Sequence, residues 1–448
     1  MKQQRVDWIE SGKTLEILDL LVGFFAVCLA YAVNPDLNLS WAASFRGQPG
    51  AFPLAIIFGL CLMFTGKVIG LYDPIRLQRW EWLFARAFFA ASVALAGTFF
   101  ITYLFFLESP GRWVAFCLLS VATVGIGATR LLFCRLAAKR PRRLLLLLEC
   151  SMIEAVQERI AAVKIPLKIV GEAEVPRLRE SAEGLAQFVR EHEVDEVVVP
   201  WIASQNVLDA PWVKALYEGV QITHYPAFLE RYFQKVELSH LGANWLCELD
   251  LRLTHPVYHR WKRLLDIGLA VVGVIMSAPL VAAVACLIWI ESGRPVFFRQ
   301  ERVGLRGATF LIWKLRTMRL AEDHHAPVLT QAKDPRVTRL GKLLRRTRFD
   351  ETPQFINILR GEMSFIGPRP DWVEVARFCE GKIPIYRFRT LVKPGLTGWA
   401  QINYRYAETE KDILEKLSYD FYYMRNASAM LDLQIVMRTF GALTKGGR

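Results

Sequence analysis

The segment LLDIGLAVVGVIMSAPLVAAVACLIWI (residues 264–290) is an apolar run long enough to cross a bilayer, and its interpretation decides the fold of everything after it. Basic residues flank the run on both sides. They are Arg260, Lys262 and Arg263 before it, and Arg294, Arg299, Arg302 and Arg306 after it. Because Lys and Arg are in excess in cytoplasmic loops, the charge pattern predicts that both flanks face the cytoplasm.

The middle of this run carries MSAPL, residues 276–280. Pro279 removes a backbone donor and clashes with the preceding turn, while Ser277 can bond a freed carbonyl. We therefore predict a re-entrant helix over residues 262–291, broken near Ser277 to Pro279, which enters one leaflet and returns. The alternative is an ordinary fifth crossing with a proline kink, which would place everything after residue 291 outside the cytoplasm.

Four further apolar runs precede this segment, at about residues 15–33, 52–71, 82–106 and 113–136, and each has about the length of a membrane-spanning helix. Basic residues concentrate in the N-terminal tail, between runs two and three, and after run four. Residues 1–140 are therefore predicted to form a transmembrane four-helix bundle with an N-terminal tail, with both ends of the bundle in the cytoplasm.

Residues 141–252 alternate short apolar strands with helical stretches, a pattern typical of a small parallel α/β domain. The first turn after a strand in such Rossmann-like domains often carries glycines that hold a nucleotide. Here that turn is LLECSMIEAV (147–156) and contains no glycine. A structural or regulatory role is therefore favoured over nucleotide binding.

The composition supports a membrane protein. The 448 residues are 53% hydrophobic and carry a net charge of +13, which favours basic surfaces that face lipid headgroups or anionic substrates. The basic residues flank apolar runs and form no long stripe, so we expect no nucleic-acid partner. The eight cysteines have no CxxC spacing, which argues against a zinc site or a disulfide framework.

The stretch RTRFDETPQF (346–355) sets two carboxylates side by side. Neighbours on a helix project about 100° apart, so Asp350 and Glu351 are suited to two different tasks. One carboxylate can attack an electrophile while the other holds a divalent cation. The structural alternative makes Asp350 an N-cap and Glu351 a surface charge, in a short helix with Pro353 in its first turn and Gly361 just past its end.

Positive charge around this stretch exceeds what two carboxylates require, and the surplus fits a diphosphate substrate. The cations that supply it are Lys314, Arg316, Arg345, Arg346, Arg348 and Arg369. Of these, Lys314, Arg316, Arg345 and Arg369 are the candidate substrate-binding residues. Arg369 lies between Pro368 and Pro370, whose fixed φ angles restrict the loop that carries it.

A third stretch, PGLTGWAQIN (394–403), combines glycines with an indole and two amides. Glycines permit close backbone approach, so Trp399, Gln401 and Asn403 are candidate contacts to a base or a sugar. Trp399 is equally compatible with a position at the level of the lipid headgroups.

In motif order, residues 255–448 resemble the bacterial sugar transferases, the monotopic polyprenyl-phosphate phosphoglycosyl transferases. The motifs are KRLLDIGLA, PVFFRQERVGLRGATFLIWKLRTM, DPRVTRLG, DETPQFINILRGEMSFIGPRP and KPGLTGWAQIN. The four apolar runs and the glycine-poor α/β domain resemble the large members of this family. The resemblance implies a membrane α+β fold whose mainly helical catalytic domain, residues 253–448, contains the re-entrant helix.

The resemblance also implies an activity. Such enzymes transfer a sugar 1-phosphate from a UDP-sugar to undecaprenyl phosphate with Mg2+, release UMP, and begin exopolysaccharide, capsule or O-antigen synthesis at the cytoplasmic face of the bacterial inner membrane. By the same resemblance, Asp350 is the nucleophile that forms a phosphosugar-aspartyl intermediate, and Glu351 is the metal-associated residue. Lys314, Arg345 and Arg369 match basic residues of the active site.

One departure from the family pattern is Ser277-Ala278-Pro279, where the family usually has Ser directly before Pro. The alternatives to the implied activity are direct glycosyl transfer, which would release UDP, and a non-catalytic membrane scaffold for polysaccharide assembly. The apolar bundle and the α/β domain without a ligand loop suggest self-association, so a homodimer embedded in membrane lipid is an expectation.

Overall fold

The structure is a computed structural model of the chain. It describes residues 12–33, 51–72, 83–106, 111–138, 141–163, 166–172, 182–200, 219–238, 256–319, 336–404 and 409–444. The N-terminal tail, the basic loop between the second and third apolar runs, and the predicted domain boundary at residue 252 lie outside these ranges. The chain divides into two compact units, Met1–Phe233 and Gln234–Arg448, which are described separately.

The first unit begins with four apolar helices where the sequence predicted them. They are α1 (Lys13–Val33), α2 (Ala51–Ile69), α3 (Leu83–Phe106) and α4 (Arg112–Ala138). Each is long and apolar enough to cross a membrane. Helix α1 packs against α2 and α4, and α3 packs against the same two helices. The cytoplasmic orientation of their ends stays a prediction.

Close packing among these helices depends on small residues and on one buried ion pair. A Cβ atom on Gly23 of α1 would lie 2.9 Å from the Cα of Gly59 in α2, so these helices approach at glycine. The Arg130 guanidinium of α4 donates to both carboxylate oxygens of Asp19 in α1, at 2.5 and 2.6 Å, and the Tyr72 hydroxyl donates to the same carboxylate. Asp19 and Arg130 are fully buried.

The α/β part of the first unit matches its predicted strand and helix pattern. Strands β1 (Arg142–Leu146), β2 (Leu167–Glu172), β3 (Glu196–Val199) and β4 (Gln221–His224) form a parallel sheet in the order β2-β1-β3-β4. Helices α5 (Cys150–Val163), α6 (Ala182–Glu191) and α7 (Tyr225–Phe233) accompany it. Alternate residues of β1 enter different cores, with Leu144 beside Phe228 and Leu145 beside Leu185.

The first helix that the structure describes in the second unit is α8, Pro256–Ser292, which corrects one prediction. The helix is continuous and contains Pro279, whereas the sequence predicted a break there. Proline in a helix removes one hydrogen bond and can bend the axis without ending the helix on either side. The re-entrant topology was a separate prediction, and it stays one.

Both ends of α8 make polar contacts within the second unit. Near its start, Lys262 lies 2.7 Å from the Asp432 carboxylate, and the Arg263 guanidinium donates to the carbonyls of residues 358 and 359. At its end, Glu291 accepts from the backbone N–H of Arg339, and the Ser292 carbonyl accepts from Arg316. The two ends are therefore held by one compact body.

After α8 come elements that the sequence interpretation did not anticipate as strands. Strands β5 (Phe297–Val303) and β6 (Thr309–Leu315) form an antiparallel hairpin. Helix α9 (Arg339–Thr347), a single 3₁₀ turn over Phe349–Glu351 and helix α10 (Gln354–Arg360) follow.

The rest of the second unit is mostly helical. Strands β7 (Ser364–Ile366) and β8 (Gly395–Thr397) form a parallel pair. The helices are α11 (Val373–Lys382), α12 (Trp399–Asn403), α13 (Glu410–Asn426) and α14 (Ala429–Thr444), with a 3₁₀ segment over Pro384–Leu391. Their core gathers Trp399, Phe421, Tyr423 and Ile435.

Candidate active site

The two predicted catalytic carboxylates lie in the 3₁₀ turn between α9 and α10. Arg348 ends α9 in the left-handed conformation, with φ of 59°, and the chain turns there into Phe349–Glu351. The N-cap of α10 is Pro353, and the helix ends at Gly361, whose φ is 84°. The short helix is thus confirmed, but Asp350 is not its cap, because the N-cap is Pro353, three positions further along the chain.

Glu351 is held by two cations on one oxygen. Lys314 Nζ lies 2.9 Å from Oε1, and Arg369 Nη2 lies 2.7 Å from the same atom. Burial alone would raise the pKa of the Glu351 carboxyl, but Arg369 and Lys314 together hold it well below its usual value. Glu351 is therefore a permanent anion whose orientation is fixed.

Asp350 is also buried but, unlike Glu351, has no cation or donor bonded to its carboxylate among the described residues. Only 8% of its surface is exposed, its Oδ1 is buried, and its carboxylate makes no hydrogen bond with any described residue. Burial raises the pKa of Asp350, and the neighbouring Glu351 raises it further, against the opposing charges of Lys314, Arg345 and Arg348. A desolvated carboxylate without hydrogen-bond donors keeps its lone pairs available, as a nucleophile requires.

The loop that carries Arg369 is fixed through its backbone. All three carbonyls of the Pro-Arg-Pro sequence accept hydrogen bonds from different parts of the unit. Pro368 accepts from the Gly395 N–H at 2.8 Å, Arg369 from Arg389 Nη2 at 3.0 Å, and Pro370 from Arg302 Nη1 at 3.1 Å. With two prolines fixing φ as well, the Arg369 guanidinium has a defined position beside Glu351.

The glycines of PGLTGWAQIN serve the same loop. A Cβ on Gly395 would lie 2.1 Å from the nitrogen of Gly367, and one on Gly398 would lie 2.2 Å from the Gly367 carbonyl oxygen. Any side chain there would separate β8 from the residue that precedes Pro368. The close backbone approach predicted for these glycines is real, but it is made to the arginine loop.

The remaining predicted cations occupy distinct places. Burial lowers the pKa of Lys314, which nonetheless pairs with Glu351. Arg345 donates to the Thr317 hydroxyl at 2.8 Å and acts on Asp350 through its charge. Arg316 is buried and donates to the carbonyls of Ser292 and Gly293, so it caps the C-terminal end of α8.

A divalent cation fits the carboxylate pair. No group of three or more His, Cys, Asp or Glu that could hold a metal occurs among the described residues. Magnesium, however, commonly takes one or two carboxylates and completes its shell with water and substrate phosphates. The ion pairs of Glu351 all use Oε1, and Asp350 Oδ1 is a buried acceptor without a donor in the described ranges. Glu351 Oε2 and the Asp350 carboxylate are thus the atoms suited to the cation.

Comparison with known proteins shows the family of this chain. Residues 257–446 match the family described as bacterial sugar transferase. A UDP-N-acetylgalactosamine-undecaprenyl-phosphate N-acetylgalactosaminephosphotransferase of Aeromonas hydrophila is 32% identical over 405 residues, covering 86% of this chain and 94% of the relative. The chain belongs to the bacterial sugar transferase family.

Two further relatives of this sugar transferase carry the same type of name, UDP-glucose:undecaprenyl-phosphate glucose-1-phosphate transferase. The protein of Escherichia coli (strain K12) is 42% identical over 182 residues, which is 40% of this chain and 39% of the relative. That of Caulobacter vibrioides is 42% identical over 184 residues, which is 41% of this chain and 69% of the relative.

In this sugar transferase, Trp399 lies in the core, so the prediction that it contacts a base, a sugar or lipid headgroups is wrong. The indole is 1% exposed, donates from Nε1 to the Gln234 carbonyl and stacks on Tyr422. A large aromatic ring gains most by leaving water, and here it forms the centre of the core. Neither a base or sugar contact nor a place among lipid headgroups fits a buried ring.

The two amides near Trp399 also bond locally. Gln401 Nε2 donates to the Leu396 carbonyl at 3.3 Å, and Asn403 Nδ2 donates to the Trp399 carbonyl at 2.8 Å. Asn403 Oδ1 also accepts from Arg438 Nη1 at 3.2 Å. Their predicted role in substrate binding gains no support from these contacts, which hold the loop after β8.

Several residues that shape the site were missed by sequence interpretation. Arg389 and Arg302 hold the arginine loop. Asn357 is fully buried, accepts from the Trp313 N–H and donates to the Leu311 carbonyl, so it joins α10 to the edge of β6. A polar residue between two isoleucines on a short helix was the one available signal.

Proposed function

We propose that this protein transfers a sugar 1-phosphate from a UDP-sugar to undecaprenyl phosphate through a covalent intermediate on Asp350. The observation that carries the proposal is the division between adjacent carboxylates, with Glu351 fixed by two cations and Asp350 desolvated and without a donor. The names of the relatives supply the donor and acceptor classes.

The first step forms one bond and breaks one. A carboxylate oxygen of Asp350 attacks the β-phosphorus of the UDP-sugar, and the bond from that phosphorus to the bridging oxygen breaks. UMP departs with the bridging oxygen and its electron pair, leaving the sugar phosphate joined to Asp350 as a mixed carboxylic–phosphoric anhydride. An oxygen of undecaprenyl phosphate then attacks the same phosphorus, and Asp350 leaves as a carboxylate.

The cations around the 3₁₀ turn of Asp350 and Glu351 stabilise the negative charge that shifts between groups in these steps. Negative charge shifts onto the leaving UMP in the first step, and Arg345, Arg348, Arg369 and Lys314 stand near the two carboxylates. Arg369 and Lys314 keep Glu351 ionised and in place. The fixed arginine loop means that little reorganisation accompanies the transfer.

We include Mg2+ in the proposal, and Glu351 would hold it through Oε2, the oxygen that its ion pairs leave unused. When bound, the ion would neutralise phosphate oxygens during transfer. Glu351 holds the ion, and Asp350 reaches the phosphorus.

The proposal places the reaction at the cytoplasmic face of the bacterial inner membrane, as the initiating step of a polysaccharide. Support comes from helix α8, whose start contacts Asp432 and whose end contacts Arg316 and Arg339 of the same unit. A helix that crossed about 30 Å of hydrocarbon would put these ends on opposite faces. One compact unit that holds both ends favours a helix that returns to its own face.

The products decide between this proposal and direct glycosyl transfer. Purified protein is incubated with a panel of UDP-sugars, Mg2+ and undecaprenyl phosphate, and the released nucleotide is identified by chromatography. We expect UMP from wild type and at least about a thousandfold less from Asp350→Asn, since the nucleophile is lost. Release of UDP, or full turnover by Asp350→Asn, would overturn the proposal.

A further inference from the structure

We infer that the outer face of the β5–β6 hairpin binds the headgroup of an anionic phospholipid in the leaflet that holds α8. This Arg-Trp face consists of Arg299, Trp313 and Arg360, bordered by Phe297, Leu311 and Ile356. The inference goes beyond the proposed reaction and rests only on the placement of α8 in the membrane.

The register of the hairpin separates this face from the carboxylate site. Arg299 lies opposite Trp313, and Phe297 lies opposite Leu315. Lys314, the next residue along β6, points to the other side because strand side chains alternate, and there it pairs with Glu351. The Arg-Trp face is therefore a surface of its own.

Two arginines share one indole on this face. The Arg299 guanidinium lies 3.9 Å from the centroid of the Trp313 ring, and that of Arg360 lies 5.8 Å from it. Stacking on an aromatic ring leaves the guanidinium N–H groups free to hold an anion in the plane of the fork.

Neither arginine pairs with a carboxylate in the part of the chain that the structure describes. Within the described ranges, the side chains of Arg299 and Arg360 make no hydrogen bond or ion pair, although Glu301 is exposed on the same side of the hairpin. The other arginines of the hairpin region contrast with them, since Arg302 and Arg316 donate to backbone carbonyls. Two adjacent, uncompensated cations have the charge complement of a phosphate.

The border of the face favours a lipid phosphate over a soluble one. Phe297 is 38% exposed, Leu311 is 45% exposed and Ile356 is 37% exposed. Exposed aromatic and aliphatic side chains next to arginines are typical of a surface that rests at the membrane interface. The hairpin also starts only five residues after Ser292, the last residue of α8.

The two arginines and the apolar border together favour one ligand for the Arg-Trp face, an anionic phospholipid. Phosphatidylglycerol or a similar lipid would place its phosphate between the two guanidinium groups and its glycerol and upper acyl carbons against the apolar border. Each arginine near an anionic membrane surface is worth about a fivefold change in binding.

Photocrosslinking in nanodiscs tests the inference with the full chain. Photoactivatable phosphatidylglycerol or phosphatidylcholine is added at equal amounts, and labelled peptides are mapped by mass spectrometry. We expect severalfold more phosphatidylglycerol than phosphatidylcholine on the peptides of residues 297–313 and 356–360. Arg299→Gln and Arg360→Gln should each lower the phosphatidylglycerol labelling by about fivefold.

Arg306→Gln is the matched control, because Arg306 is exposed in the turn of the same hairpin and lies over no ring. Its labelling should stay at the wild-type level. Equal labelling by the two lipids, or an equal loss in Arg306→Gln, would overturn the inference. So would displacement by millimolar inorganic phosphate, which would assign the face to a soluble anion, or by equimolar undecaprenyl phosphate, which would assign it to the acceptor. Because labelling needs no turnover, UMP release reports separately on the proposed reaction.

Discussion

Asp350 and Glu351 are neighbours in the chain, yet their surroundings shift the pKa values of their carboxyl groups in opposite directions. Glu351 receives Lys314 and Arg369 within hydrogen-bonding distance, whereas Asp350 receives no donor in the described part of the chain. At the scale of the residue, the 3₁₀ turn gives the two carboxylates different surroundings because their side chains point in different directions. One carboxylate is held as an anion by two cations, and the other is desolvated, as the proposed nucleophile requires.

The raised pKa of Asp350 predicts a pH dependence. The nucleophile acts as a carboxylate, so kcat falls as the pH drops through its pKa. Arg348 lowers that pKa through its positive charge. Removing the charge in Arg348→Gln raises the pKa further, so the acid limb of the pH profile should move to higher pH.

Arg346→Gln is the control for this shift, because it removes the same charge from an exposed neighbour that is not among the main groups acting on Asp350. Profiles of kcat against pH, measured by UMP release, compare the two variants with wild type. If the acid limb of Arg348→Gln lay at the same pH as that of Arg346→Gln, the electrostatic account of Asp350 would be contradicted.

At the scale of the element, Asn357 joins α10 to the free edge of β6 and so sets the distance between the carboxylate turn and Lys314. In Asn357→Leu, the Trp313 N–H and the Leu311 carbonyl lose their partner. Each unsatisfied group costs about 1 to 3 kcal/mol. We expect a lower thermal unfolding midpoint in detergent and a lower kcat, with KM for the UDP-sugar changed less.

Asn426→Ala serves as the comparison, since Asn426 donates one bond to the Tyr422 carbonyl within α13. It should lower the unfolding midpoint slightly and leave kcat unchanged. If Asn357→Leu kept its kcat, the link between β6 and the carboxylate turn would be of no functional importance.

The ion pair between α1 and α4 predicts a stability effect of a different kind. Asp19→Ala leaves the fully buried Arg130 guanidinium without its carboxylate, at a cost of about 3 to 5 kcal/mol. The double variant Asp19→Leu with Arg130→Met removes both charges and should recover most of the unfolding midpoint.

Glu16→Gln tests whether any lost ion pair has this effect. Glu16 lies 3.5 Å from Lys67, whose side chain is largely exposed, and such pairs contribute about 0 to 1 kcal/mol. A small change in Glu16→Gln beside a large one in Asp19→Ala is expected. Equal changes in the unfolding midpoint would mean that the buried Asp19–Arg130 pair contributes no more to stability than the exposed Glu16–Lys67 pair.

At the scale of the whole molecule, the sequence predicted best where periodicity and length carry the information. The four N-terminal helices and the parallel strands followed from runs of apolar residues, and residue types in a short motif singled out the adjacent carboxylates of the proposed site. Trp399 was misjudged because a motif cannot show whether a ring faces a ligand or the core. Asn357 and Arg389 act through contacts with distant residues, which no local pattern contains.

The topology of helix α8 is also a property that a local sequence pattern could not establish. Pro279 predicted an interruption, but helical geometry continues past it, and only the contacts at both ends bear on topology. We expect single cysteines at Arg260 and Arg294, in a background without native cysteines, to be shielded from an impermeant maleimide outside intact cells. A cysteine at Gly111, between α3 and α4, should be labelled. Labelling at Arg294 alone would contradict the returning helix.

The covalent step on Asp350 is the central claim, and a single-turnover measurement without acceptor tests it most directly. Protein is mixed with UDP-sugar and Mg2+, quenched, and analysed for UMP and for the mass of the peptide that contains Asp350. The account predicts a burst of about one UMP per active site and a sugar 1-phosphate adduct on that peptide, both absent in Asp350→Asn. An enzyme that turns over with undecaprenyl phosphate but releases no UMP and carries no adduct without it would contradict the account.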